Sequence, residues 1–317
     1  MFSQIQKDLE ILDLNLNQIV GPRNPILYAA AEQLFHAGGK RVRPSIILLV
    51  AKATNRKDKL KNEHIRLAEI IEIIHTASLL HDDVIDDCEI RRGSGSVNSN
   101  FSNKIAVLAG DFLFAQSSWY LANLNNLEVV RIISKVITDF AEGEVQQALT
   151  SFDVSTSINN YINKSFYKTA SLLASSCKAA AIISDTNINT QNRFYNYGKH
   201  LGLAFQIIDD ILDITSTDQT MGKPAGLDLK NGNLTAPLLF ALNECPKLYK
   251  LIEREFENDG DKEDAIKLIK STNGIEQAKD LAIEHAQASI QNLKYMDKNK
   301  SIEDLTALSE SIIKRIY

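Results

Sequence analysis

Proline is scarce in this sequence, with six residues in 317, and glycine is modest at fourteen. No low-complexity tract or convincing internal repeat interrupts the chain. These absences exclude collagen-like, disordered and linker-rich architectures. A chain of this length suggests about two domains on size alone, yet without a linker it reads as one domain over residues 1–317. Cysteine is nearly absent too. Cys88, Cys177 and Cys245 show no CxxC spacing, which excludes a disulfide framework or a zinc site and fits a reducing compartment. Basic excess is missing: the net charge is −5, so there is no electrostatic footprint for nucleic acid. Residues Met1–Glu10 lack both the apolar core of a signal peptide and the Arg-rich, acid-poor character of a transit peptide. No apolar run reads as long enough to span a bilayer.

What is present is helical periodicity. Apolar residues recur at i, i+3, i+4 and i+7 through most long segments while strict alternation is lacking, so the fold class is all-α. Gly21-Pro22-Arg23-Asn24-Pro25 separates a first helix from Ile26–Ala37, which Gly38-Gly39 terminates. Pro44 opens the next helix. A long helix follows from about Asn62 to about Asp87, then a loop around Gly93–Ser96, and helices near 102–122, 126–150, 157–184 and 192–216. The polar stretch 217–234 has the length and composition of a functional loop. Residues 235–317 read as several shorter amphipathic helices.

Two aspartate cassettes stand out. Asp82-Asp83-Val84-Ile85-Asp86 and Asp209-Asp210-Ile211-Leu212-Asp213 repeat one DDxxD pattern on apolar, helix-like runs. A helix brings i and i+4 onto one face, so the outer carboxylates of each copy converge and need a cation. Oxygen donors without Cys or His favour a hard ion such as Mg²⁺, although a single cassette also resembles a solvated helix end. Lys40, Arg41 and Arg43 crowd one helix junction, where free N–H groups and the positive dipole end of the following helix favour an anion. Arg91-Arg92 offers planar forks for phosphate oxygens, or simply two surface residues. His75 lies two helical turns before Asp82 on nearly the same face. Alone, it would more often be a hydrogen-bonded core residue than a ligand. His81 points elsewhere and receives no role. Lys168-Thr169 sits in an apolar segment, where the lysine requires an anion or water. Phe205-Gln206 precedes the second cassette and Lys223-Pro224 follows it.

Together these elements resemble the trans-type isoprenyl diphosphate synthases, the polyprenyl synthetase family. The likeness runs from Gly38-Gly39-Lys40-Arg41-Val42-Arg43-Pro44 through His81–Asp87, Arg91-Arg92-Gly93, Lys168-Thr169, Phe205–Asp213 and Gly222-Lys223-Pro224 to Asp228 and Gly232. One departure is Gly95, where many relatives carry proline, a change expected to loosen that loop. The resemblance implies a large helical bundle around a central cavity and head-to-tail condensation of isopentenyl diphosphate onto an allylic diphosphate. It implies Asp82, Asp86 and Asp209 as metal ligands, with Asp83, Asp210 and Asp213 in bridging or outer roles, and about three Mg²⁺ ions per active site. Arg91, Lys168 and Lys223 would bind the allylic diphosphate, and Lys40, Arg43, His75 and Arg92 isopentenyl diphosphate. Lys168, Thr169, Gln206 and Lys223 would serve catalysis, Thr169 and Gln206 by facing a carbocation with uncharged oxygens.

Ala77 and Ser78 are small where short-chain members of the family place an aromatic. At about 1.5 Å per residue, Ile74 and Ile71 lie about 12 and 16 Å below Asp82, too deep to stop a chain of three isoprene units, so the expected product has about eight to ten. Such products serve as quinone side chains, and Gly222–Gly226 and Asn233–Pro237 are similar to solanesyl-type synthases. Shorter-chain synthases, a class I terpene cyclase and a non-catalytic regulatory subunit are the alternatives. The cyclase would not need the Lys40–Pro44 cations, and the subunit need not keep both cassettes. The resemblance implies a homodimer. The expected location is the bacterial cytoplasm, or the plastid stroma if the gene is organellar, with no transmembrane segment.

Overall fold

The computed structural model describes residues 3–19, 25–36, 41–55, 60–91, 94–215 and 226–316. It is all-α, as the periodicity requires. Helices α1 (Gln6–Ile19), α2 (Pro25–His36), α3 (Val42–Thr54) and α4 (Asn62–Ile85) are followed by a two-residue hairpin, β1 (Ile90–Arg91) and β2 (Ser94–Gly95). Then come α5 (Val97–Asn100), α6 (Asn103–Ala122), α7 (Leu127–Leu149), α8 (Ile158–Ser165), a π-helical turn (Phe166–Ala170), α9 (Ser171–Ile183) and α10 (Ile188–Thr215). The C-terminal part holds α11 (Leu227–Lys230), α12 (Ala236–Leu242), α13 (Lys247–Glu253), α14 (Asp261–Lys270), α15 (Gly274–Leu293) and α16 (Lys300–Ile313).

The chain forms two compact units with interleaved segments. The first comprises residues 1–137, 175–195 and 296–305, the second 138–174, 196–295 and 306–317. In the first, α4 packs against α1, α2, α3 and α6. Ile70, Ile71, Ile73, Ile74 and Ala77 of α4 are fully buried, as is the run Ile47–Ala51 of α3, so both helices contribute to the core of this unit. Pro44 lies in the first turn of α3, where its missing N–H costs no hydrogen bond. Against expectation, α6 is long and apolar enough to cross a membrane by length and composition. It buries Ala106, Ala109, Gly110, Leu113, Ser117 and Leu121 and leaves Val107, Leu108 and Trp119 exposed.

In the second unit, glycine lets two backbones meet. A Cβ on Gly198 would lie 2.6 Å from the Leu173 carbonyl oxygen, and one on Gly202 2.7 Å from Ala170 Cα. This close approach brings the stretch of α10 that carries Phe205-Gln206 and the second cassette against the π-helical turn that carries Lys168-Thr169. The segment expected as one helix over 157–184 is thus broken by that turn, whose i→i+5 bond runs from Ser171 N to Phe166 O. Such bulges concentrate at functional sites.

Candidate active site

In the first unit, α4 carries His75, Asp82 and Asp83, and its hydrogen bonding continues to Asp86, whose N–H donates to Asp82 O at 2.8 Å. Asp82 and Asp86 therefore share a face, half-buried and exposed respectively, at the negative end of the helix dipole, where a cation is favoured. Asp83 turns inward. It is 1% exposed and gripped by Arg91, with Nε 2.6 and 2.7 Å from its two oxygens and Nη2 2.6 Å from Oδ1. Burial works against the Arg91 charge, but the contacts with Asp83 outweigh it and raise the Arg91 pKa. Asn98 Nδ2 donates to the Asp83 carbonyl at 3.3 Å. Gly95 pairs with Ile90, and its carbonyl accepts from Gln33 at 2.7 Å and Asn100 at 3.2 Å. A Cβ there would meet Asn100 Oδ1 at 2.6 Å, so the missing side chain makes room for this tie. His81 turns to α6, its Nε2 3.1 Å from Val107 O.

The basic junction divides its labour. Arg41, in the left-handed region at φ 45°, places Nε 2.9 Å from Asp13 Oδ1, Nη1 2.7 Å from Glu72 Oε1 and Nη2 3.2 Å from Phe35 O. It ties α1, α2 and α4 together. Arg43 Nη1 lies 2.9 Å from His75 Nε2, so the structure brings together these two residues named from sequence. Lys40 and Arg92 lie outside the described residues. Ala77 is fully buried, and Ser78 is half-buried with its hydroxyl donating to His75 O at 2.9 Å.

The second unit holds a polar network. Thr169 Oγ1 donates to Gln206 Oε1 at 2.7 Å, Gln206 Nε2 donates to Asp210 Oδ1 at 2.8 Å, and the Tyr161 hydroxyl donates to Asp210 Oδ2 at 2.6 Å. Asp210 is 3% exposed. Burial, then repulsion from Asp228, drives its pKa up against the pull of Tyr161 and Gln206. Burial likewise raises the Tyr161 pKa. Lys168 has its anion: Nζ is 2.7 Å from Glu144 Oε1 and 3.1 Å from Gln147 Oε1. Asp213 closes the turn that opens α11, its carboxylate accepting from the backbone N–H groups of Leu227 (3.4 Å) and Asp228 (3.3 Å). Asp209 pairs with Arg315 at 2.8 Å, and the guanidinium of Arg315 lies 4.8 Å from the centre of the Phe205 ring. Lys223 is outside the described residues.

Sequence reasoning passed over Tyr161, Lys164, Glu144 and Arg315. Tyr161, Lys164 and Lys168 recur at spacings of three and four, the signature of one helix face, and that signal was available. Nothing near Arg315 in the chain announces its partner.

Among the described residues no three acidic, His or Cys side chains cluster to hold a metal ion by themselves. The donor set still fits Mg²⁺, which is usually bound through one or two carboxylates and completes its shell with water and substrate phosphates. The Asp209 carboxylate is engaged by the Arg315 guanidinium.

Comparison with known proteins places these features in context. A sequence profile described as "Polyprenyl synthetase" matches residues 24–269. A "Prenyl transferase" of Porphyra purpurea is 57% identical over 316 residues, covering 100% of this chain and 98% of that protein. "Solanesyl diphosphate synthase 1, chloroplastic" of Arabidopsis thaliana is 51% identical, covering 96% of this chain and 77% of that protein. The crystal structure of a polyprenyl synthase from Caulobacter crescentus, complexed with calcium and isoprenyl diphosphate, superposes with a TM-score of 0.92 at 31% identity, covering 99% and 96% of the two chains.

Proposed function

This chain belongs to the polyprenyl synthetase family, and on that premise we propose that it is a prenyltransferase building a long all-trans polyprenyl diphosphate for a quinone side chain. The observation that carries the reading is the combination of two all-oxygen aspartate cassettes with a separate Arg43–His75 pair. One anion is thus served by carboxylate-held metal and another by protein cations alone. The solanesyl relative and the small Ala77 and Ser78 support the long product.

In this reading Arg43 and His75, with Lys40 and Arg92, hold isopentenyl diphosphate, while Arg91, Lys168 and Lys223 hold the allylic diphosphate. Magnesium, about three ions per active site, would be held by Asp82, Asp86 and Asp209 and supplies positive charge for the leaving diphosphate. Asp83, Asp210 and Asp213 act from behind, through Arg91, Tyr161 with Gln206, and the turn opening α11. The allylic C–O bond breaks with its electron pair going to the diphosphate. The π pair of isopentenyl diphosphate then forms the new C–C bond, and proton loss restores an alkene. Thr169, its hydroxyl hydrogen-bonded to Gln206 Oε1, presents lone pairs that stabilise positive charge without a strong nucleophile. The released diphosphate takes the proton.

The exposed Val107, Leu108 and Trp119 on α6 form apolar surface of the kind that a partner covers, and the partner in this reading is a second copy of the chain, with no membrane span. The whole chain acts as one catalytic domain, in a bacterial cytoplasm or a plastid stroma. The test is incubation of purified protein with Mg²⁺, isopentenyl diphosphate and a farnesyl or geranylgeranyl primer, followed by sizing of the products. Products of about eight to ten units are expected; products of three or four units would make it a short-chain synthase. A cyclic hydrocarbon or no product would defeat the reading.

A further inference from the structure

Lys164 is a buried cation that no step above uses. It is 7% exposed, and its Nζ donates to Asn233 Oδ1. Asn233 in turn clasps Asp228: its side-chain amide donates to Asp228 Oδ1 at 2.8 Å and its backbone N–H to Asp228 O at 2.8 Å. The Asp228 N–H donates to Asp213 Oδ2 at 3.3 Å. One chain of contacts therefore runs from α8 to the last carboxylate of the second cassette.

The electrostatics point the same way. Asp210 and Asp228 repel each other, and both attract the Lys164 ammonium. Tyr161, one turn earlier on the same face, bonds directly to Asp210. Lys164 and Tyr161 also wall a cavity of about 260 Å³ with Thr156, Asn160 and Tyr167. That space can admit water if the ammonium is removed.

We propose that Lys164 is a positioning residue for the second aspartate cassette, its ammonium holding Asn233 and, through the Asn233 clasp on Asp228, fixing the turn on which Asp213 rests. The inference depends on the cassette binding metal and diphosphate as assigned above. Because Nζ acts through the Asn233 side chain, removing either partner breaks the same link.

The experiment compares wild type, Lys164→Met, Lys164→Arg, Asn233→Ala and the double variant Lys164→Met/Asn233→Ala in steady-state condensation with varied Mg²⁺, allylic primer and isopentenyl diphosphate. Lys164→Met is expected to lower kcat about tenfold or more and raise the half-saturating Mg²⁺ about threefold, with the KM for isopentenyl diphosphate within about twofold of wild type. Lys164→Arg should keep most of the activity, and Lys164→Met should cost no more than about a further twofold once Asn233 is already alanine. The idea is overturned if Lys164→Met matches wild type within twofold, if all three KM values deteriorate together, or if the losses of the two single variants multiply in the double variant. Wild type forming no product would instead defeat the functional reading.

Discussion

Arg43 Nη1 stands 2.9 Å from His75 Nε2, while Arg41, two residues earlier, reaches Glu72 one turn before His75 on the same helix. Two arginines thus lock the start of α3 to α4 at two points. Since a guanidinium only donates, His75 Nε2 accepts and its proton sits on Nδ1. His75→Ala is expected to raise the KM for isopentenyl diphosphate about tenfold, with the KM for the allylic substrate changed less than threefold. Initial-rate kinetics with each substrate varied check this, and the reverse pattern would exchange the two sites.

The chain-length prediction concerns Ala77, fully buried on α4 between His75 and Asp82. Ala77→Phe should shorten the main product to about three or four isoprene units by closing the path within about 8 Å of Asp82. Mass analysis of dephosphorylated products reads the outcome. An unchanged product would mean that this face of α4 does not line the path.

Arg315 and Asp209 form an exposed pair, each about two-fifths accessible. A pair of this kind is worth at most about 1 kcal/mol, and any cation arriving at Asp209 competes with it. Arg315→Gln should therefore lower the Mg²⁺ concentration for half-maximal rate by about two- to fivefold at low salt. The difference should shrink at high ionic strength, as Mg²⁺ titrations at two salt concentrations can establish.

Acid should destabilise the fold through His64. This residue is fully buried; its Nδ1 accepts from the Lys61 N–H at 3.2 Å and its Nε2 lies 3.2 Å from the Ala180 carbonyl. Burial pushes its pKa down to about 4, and burial acts likewise on His200, to about 4. A depressed histidine pKa means the unfolded chain takes up the proton first. The stability is present above pH 6.5 and is lost as pH falls from 6.5 toward 4. For His64 the loss is about 3 kcal/mol at most. Thermal melts from pH 7.5 to 4.5 should show it, and His64→Gln should flatten the lower part of that curve.

At Gly202, an added Cβ would meet Ala170 Cα at 2.7 Å. Gly202→Ala should cost about 1–3 kcal/mol as overpacking and, by pushing Gln206 from Thr169, reduce kcat. Denaturant unfolding and kinetics on the same preparation separate the two effects.

Much of this was legible in the chain. Helical periodicity foretold an all-α fold and placed α4, α6 and α7 within a few residues of their observed ends. It missed the start of α10, where Asn187 caps the Thr190 N–H at 2.9 Å, and the π-helical turn, whose single extra residue leaves no mark in an apolar pattern. The i, i+4 rule put Asp82 and Asp86 together. The tertiary structure alone decided that Asp83 belongs to Arg91, that Asp210 belongs to Tyr161 and Gln206, and that Arg41 is a clamp while its neighbour Arg43 meets His75. Periodicity along one helix specifies which side chains share a face, because that depends only on backbone geometry. Which partner meets each face depends on elements distant in the chain, as Arg315 at Asp209 and Lys164 at Asn233 demonstrate, and packing and charge select it only once the chain has folded.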